Sequence, residues 1–225
     1  LILCGIVGIN LLLLGYFKYF NFFSFSQVAL PIGISFYTFQ ALSYVIDVYR
    51  GEVKAQHNFS HMLLYISFFP QLIAGPIVKY KEIENQIRNR KETLEKFSYG
   101  ILRFVRGLGK KVLLANAFAK VVDEIFKYGP DVASRKTLWL GAVLYMLQIY
   151  YDFSGYSDMA IGLGKMFGFD FSENFRHPYI ATSVQDFWRR WHISLSSWFR
   201  DYVYIPLGGN RKGTFCTYRN LLIVF

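Results

Sequence analysis

Long apolar runs alternate with short polar stretches along this chain, and the run lengths predict helices of membrane-spanning size. Leu1–Phe17 carries no charged side chain, and residues 28–48, VALPIGISFYTFQALSYVIDV, carry one, Asp47, near their end. Residues 59–78, FSHMLLYISFFPQLIAGPIV, approach the roughly 20 residues that a bilayer requires. A fourth run begins over 137–151, TLWLGAVLYMLQIYY, and 98–122 reads either as a weaker span or as a helix lying in the interface. The pattern predicts an all-α fold: a polytopic transmembrane helical bundle.

From Gln185 to Tyr202 the period changes to that of an amphipathic helix. At about 100° per residue, Phe187, Trp188, Trp191, Leu195, Trp198, Phe199 and Tyr202 fill one apolar arc. Gln185, Arg189, Ser196 and Arg200 gather beside it, and His192 falls on the border. A titratable ring among indoles and guanidiniums suits proton-transfer chemistry. The same pattern also describes an interfacial helix whose histidine sits at headgroup level.

Composition supports the membrane reading: 53% of residues are hydrophobic, 20% aromatic and only 18% charged. The net charge of +10 would suggest nucleic acid in a soluble protein, but here the basic residues flank apolar runs. The positive-inside rule accounts for them, and no nucleic-acid partner is expected. Lys79–Lys96 holds six Lys/Arg (79, 81, 88, 90, 91 and 96), against Arg50 and Lys54 in the preceding loop. If 28–48 and 59–78 each cross once, 79–96 is cytoplasmic and 49–58 lies outside. The basic stretch reads as a solvated helix with Ile83, Ile87 and Leu94 on one face. Glu84–Arg88 and Glu92–Lys96 are its i,i+4 pairs. Cys4 and Cys216 are distant and without metal or redox spacing, so both are expected to be unpaired.

Two stretches interrupt the apolar pattern. In FFPQLIAGPI, Pro70, Gly75 and Pro76 predict either a kinked helix or a broken element lining a cavity, with Gln71 as a polar contact. In YYDFSGYSDMAIGLGKMFGFDF, residues 150–171, Asp152, Ser154, Ser157 and Asp158 bring polar groups to the edge of a span. Ala160, Gly164 and Gly168, four apart, predict close helix approach. The two aspartates lack a third and fourth ligand at useful spacing, so no metal site is expected. Pro206, Gly208, Gly209, Arg211, Lys212 and Gly213 form a turn that could cradle phosphate, or one merely anchored by positive charge. His57 and His61 read as surface histidines, and His177, before Pro178, as a turn residue.

Taken in order, FFPQLIAGPI (68–77), YYDFSGYSDMAIGLGKMFGF (150–169) and ENFRHPYIATSVQDFWRRWHISLSSWFRDYVYIPLGGNRKG (173–213) resemble the membrane-bound O-acyltransferase superfamily. Within it they resemble most the bacterial branch that O-acetylates alginate and related exopolysaccharides. The resemblance runs along most of the chain. It implies a multi-pass protein of the inner or plasma membrane with broken or re-entrant helices and a passage through a thinned core. It implies acyl transfer from a cytoplasmic thioester, acetyl-coenzyme A or another, to polysaccharide hydroxyls or to a partner that completes transfer. No bound cofactor is implied; the lipid bilayer, a polysaccharide acceptor and accessory acetyltransferase proteins are the implied partners. His192 corresponds to the first of two family histidines and is expected to support the reaction. The second, the main base, is expected beyond Phe225, so these residues alone should be inactive. Trp188, Arg189, Arg190, Trp191, Arg200 and Asp201 are expected to line the substrate path, and Asp152, Ser154, Asp158 and Gln71 to hold its architecture. Residues 1–225 are read as one domain, incomplete at both ends. A transporter or a scaffold for polysaccharide export would use the same broken helices, membrane carboxylates and arginines.

Overall fold

Helix starts follow local capping chemistry in both halves of the fold. Asn58 accepts from the Ser60 and His61 amides, Thr93 from Lys96, Ser134 from Thr137 and Ser183 from Asp186, each satisfying first-turn N–H groups. The structure, a computed structural model, describes residues 2–23, 28–72, 75–128, 133–211 and 213–224. Its helices are α1 (Ile2–Phe23), α2 (Ile34–Arg50), α3 (Phe59–Ser67), α4 (Phe69–Leu72), α5 (Tyr80–Asn89) and α6 (Leu94–Gly109). A π-helical segment, Lys110–Ala115, joins α6 to α7 (Asn116–Lys127), followed by α8 (Arg135–Met166), α9 (Val184–Arg190), α10 (Ile193–Phe199) and α11 (Thr214–Val224). Among the described residues there is no strand. The chain forms two compact units, one of residues 1–90 with 172–225, the other of 91–171.

In the first unit, one helix among the described residues, over Ile2–Asn21, is long and apolar enough to cross a membrane. The expected span 28–48 is shortened to α2, because Gly33 takes a left-handed φ of 79° and the helix starts only after it. The expected span 59–78 is not one helix. It breaks at Phe68, whose backbone is extended, makes the single turn α4 around Pro70, and from residue 75 runs as non-helical chain into α5. This path lies along α2. The Leu72 carbonyl packs so tightly on Gly33 that a Cβ there would come within 2.5 Å of it, and further on Ile77 packs with Leu42. The Tyr65 hydroxyl donates towards the Val78 and Gln40 carbonyls at 3.1 and 3.3 Å, tying the outgoing and returning limbs together. The core gathers Leu42, Ile77, Trp198 and Tyr202, with Phe39 and Phe199 against it.

This route corrects the sidedness expected from charge. Lys81 pairs with Glu52 at 2.6 Å, and the Gln56 side-chain amide donates to the Tyr80 hydroxyl at 2.8 Å. Residues 49–58 and the start of 79–96 therefore lie together at the C-terminal end of α2, because 59–78 goes out and comes back. Nor is the basic stretch uniformly solvated. Tyr80, Ile83 and Ile87 are buried, Lys79 is buried with them, and Leu94 lies in the next helix, 81% exposed.

In the second unit the expected interruption at 150–171 is absent: α8 continues through it to Met166 and turns at Gly168, φ 82°. The carboxylates do not break the helix because cations of the neighbouring run meet them. Asp158 takes Arg103 at 2.8 Å and Lys110 at 2.6 Å, and Asp152 takes Lys111. Close approach is made by a different set of glycines than the sequence suggested. A Cβ at Gly100 would lie 2.6 Å from the Gly162 carbonyl oxygen, and one at Gly107 2.5 Å from that of Gly155. Gly164 instead lies under the Phe171 ring. The stretch 98–122 is part of a run from Leu94 to Lys127, α6 and α7 being continuous through the π-helical segment.

Candidate functional site

The expected continuous helix from Gln185 to Tyr202 is two helices of seven residues, α9 and α10, followed by π-helical Arg200–Tyr204. At about 1.5 Å per residue neither short helix reaches across a bilayer. Between them Trp191 is extended and His192 is left-handed, with φ 45° and ψ 55°. The wheel that put His192 on a helical border therefore does not apply. The cause is a competing set of partners. Residues 174–176 run alongside, so that the Arg176 amide donates to the Arg190 carbonyl and the Ile193 amide to the Asn174 carbonyl, both at 2.9 Å. The Ile193 amide is thus drawn from the helical ladder. A non-glycine residue in this region costs about 1–2 kcal/mol and persists where its surroundings over-determine it.

Those surroundings are buried and polar. Asn174 accepts through Oδ1 from the Ser194 amide at 3.2 Å and from the Ser194 hydroxyl at 2.9 Å. The same hydroxyl accepts from the Ile77 amide at 2.9 Å, so the returning limb of the broken hairpin is bonded directly to the turn. Asn174, Ser194 and Ile77 are 1%, 7% and 4% exposed.

His192 is itself buried, and its ring caps α10: Nδ1 accepts from the Leu195 amide at 3.3 Å. A neutral ring accepting at Nδ1 carries its proton on Nε2. Burial pushes its pKa down to about 4, so the ring is neutral at physiological pH. Trp191 stacks on Phe187 with centroids 5.6 Å apart and meets Phe175 edge-on at 5.1 Å; Trp188 meets Phe187 edge-on at 5.5 Å.

The arginines expected on the substrate path differ in their surroundings. Arg189 is exposed, whereas the Arg190 Nε donates to both Asp186 oxygens at 2.9 Å. Those bonds hold the Asp186 carboxyl below its ordinary range. Arg200 pairs with Asp201 at 2.7 Å, and Lys79 reaches the other Asp201 oxygen at 2.6 Å. Burial alone would raise the Asp201 carboxyl, but the Arg200 and Lys79 hydrogen bonds outweigh it and hold the carboxyl low. Arg50 also donates to the Asp201 carbonyl at 3.3 Å. Beside this knot the Tyr202 hydroxyl donates to fully buried Asp47 at 2.8 Å, with Arg50 and Lys79 over its ring at 5.3 and 5.4 Å. Lys79, Tyr202, Asp47, Asn174 and Ser194 were not among the residues singled out for the site from sequence.

Of the other candidates, Gln71 is buried in the first unit and donates to the Tyr65 carbonyl at 2.6 Å. Asp152, Ser154 and Asp158 lie in the second unit, Ser154 buried. The glycine turn is tied by the fully buried Asn220, whose amide donates to the Leu207 and Gly209 carbonyls at 3.4 and 3.0 Å. Lys212 lies outside the described residues. His61 contacts Gln56 at 3.5 Å, and left-handed His177 (φ 46°) precedes the turn Pro178–Ile180.

Comparison with known proteins places these motifs. Residues 52–225 match MBOAT, the membrane-bound O-acyltransferase family. The chain is 52% identical over 233 residues to a probable alginate O-acetylase AlgI of Pseudomonas putida, covering 96% of this chain and 48% of that protein. It is 38% identical over 266 residues to a peptidoglycan O-acetyltransferase of Helicobacter pylori (100% and 50%). It is also 32% identical over 219 residues to a teichoic acid D-alanyltransferase of Bacillus subtilis (91% and 54%). The chain spans about half the length of the curated relatives it matches.

Proposed function

The chain belongs to the membrane-bound O-acyltransferase family, and from that premise we propose that the protein is an acetyltransferase acting on an exopolysaccharide. It takes the acetyl group from a cytoplasmic thioester, acetyl-coenzyme A, and passes it to hydroxyls of a polymer such as alginate, or to a partner that completes transfer. The names of the relatives support the acetyl group and the polymer class. The setting is a multi-pass fold in the cell membrane with re-entrant elements. Supporting it are the apolar α1, the out-and-back course of 59–79, and the second unit, which pairs its charges between helices while Leu102, Leu113, Trp139 and Leu140 stay more than half exposed.

One observation carries the site: a buried histidine held in a left-handed turn with its Nδ1 on the Leu195 amide. In the reaction the acceptor hydroxyl attacks the thioester carbonyl, the C–S bond breaks, and the hydroxyl proton ends on the released thiol. With Nδ1 turned to the Leu195 amide, the ring is suited to a hydrogen-bonding role rather than to that of the main base. A neutral donor of this kind steadies the charge that develops on the carbonyl oxygen. Removing one such donor typically costs about 10²–10³ in rate.

The test expresses the complete gene product with its pathway neighbours and compares wild type with His192→Ala at matched membrane levels. Loss of acetyl ester from the secreted polymer with export intact is the expected result. Undiminished ester would remove His192 from the reaction, and normal ester with impaired export would make the protein a transport component.

A further inference from the structure

The hydrogen bonds behind His192 carry an inference that deepens the proposed function and rests on it. Ser194 stands two residues after His192, in the first turn of α10, and its hydroxyl sits between two fixed groups. It accepts from the Ile77 amide and donates to Asn174 Oδ1, both at 2.9 Å. Asn174 grips the same turn twice more, its Oδ1 taking the Ser194 amide at 3.2 Å and its carbonyl the Ile193 amide at 2.9 Å. The relay joins three separate segments: the returning limb at 77, the loop at 174 and the turn at 192–194. Every member is buried, so no water is at hand to replace a missing partner.

We propose that Asn174 and Ser194 are positioning residues for His192. Asn174 takes the Ile193 and Ser194 amides out of the helical ladder. The Ser194 hydroxyl, bonded to Asn174 Oδ1 and to the Ile77 amide, fixes the Asn174 side chain where it does so, which keeps His192 left-handed. In that conformation its Nδ1 stays on the Leu195 amide and its Nε2–H edge keeps one direction. Without these side-chain bonds only the Asn174 carbonyl still holds the turn, through the Ile193 amide, and the ring loses its fixed place. Because Ile77 is the third member, the broken hairpin sets the place of the histidine as well as bounding the core. Misplacing a reacting group by about 1 Å costs on the order of 10²-fold in rate.

The experiment uses membranes containing the complete protein and its pathway partners, with labelled acetyl-coenzyme A as donor. Ser194→Ala and Asn174→Ala are expected to lower kcat at least tenfold at wild-type membrane level, with the donor KM within twofold. Ser194→Thr, which restores the hydroxyl, is expected to recover most of the rate. If an alanine variant fails to accumulate, Ser194→Cys, with a weaker donor of similar size, takes its place and should give an intermediate kcat at an unchanged KM. A kcat that falls less than tenfold in alanine variants that accumulate overturns the proposal, as does a Ser194→Cys loss matched by loss of folded protein. Failure of hydroxyl rescue by Ser194→Thr at normal membrane level overturns it as well. His192→Ala separates the two levels. If it is inactive while Ser194→Ala is normal, positioning alone fails; if it retains full rate, the reading of His192 fails and takes positioning with it.

Discussion

His192 shows how burial and backbone conformation together set the state of one side chain. With its pKa down at about 4 against an ordinary 6.5, the folded protein binds this proton less readily than the unfolded chain does. Its stabilising contribution is therefore complete above pH 6.5 and is lost as the pH falls towards 4. Melting of the detergent-solubilised protein at pH 7.5 and 5 should show a loss of about 2 kcal/mol that His192→Asn does not share. Asparagine tolerates the left-handed region and keeps an acceptor for the cap. The histidine itself was legible, flanked by tryptophans and arginines; its conformation was not. A helical wheel presumes the ladder is intact, and the ladder is broken by Asn174, which lies in ENFRHPY with nothing to mark it. Lys79 was hidden for a related reason. It stands first in a run of basic residues, and only the fold pairs it with Asp201, 122 positions away.

At the scale of elements, periodicity located the apolar runs but could not say which were helical from end to end. Pro70, Gly75 and Pro76 marked 59–78 as interrupted, and the structure breaks there. Asp152 and Asp158 marked 150–171 in the same way, yet α8 passes both of them and ends only at Met166, since Arg103, Lys110 and Lys111 supply the missing charge. A carboxylate in an apolar run announces a cost without saying where its partner lies. The small-residue stripe misled likewise: Gly164 and Gly168 serve the turn after α8, and the contact with α6 falls to Gly155 and Gly162. Gly107→Ala should destabilise the protein by about 1–3 kcal/mol, because the new methyl meets the Gly155 carbonyl. Gly109→Ala, two residues on and facing open space, should instead gain about 0.5–1 kcal/mol. Thermal unfolding of the two variants in one detergent separates packing from helix propensity.

For the whole molecule, the order of motifs was enough to recognise the family, while charge bias alone misplaced the loops. The positive-inside argument assumed that 59–78 crosses once. The Lys81–Glu52 pair returns the chain to where it left, so loops read as opposite share one end of α2. With Cys4 and Cys216 replaced by serine, Lys54→Cys and Arg88→Cys should both react with an impermeant thiol reagent from the same side of sealed membranes. Labelling from opposite sides would contradict the fold of the first unit. In the second unit, Gly100 and Gly107 stand seven apart, as do Gly155 and Gly162, in helices running in opposite directions. Such a joint works like two notched bars. Displaced by anything less than one repeat, about 10 Å along the axis, neither glycine step would meet its counterpart, and side chains would collide with backbone. The α6–α8 pair can tilt or bend as one rod, but it cannot shorten or lengthen by gradual sliding.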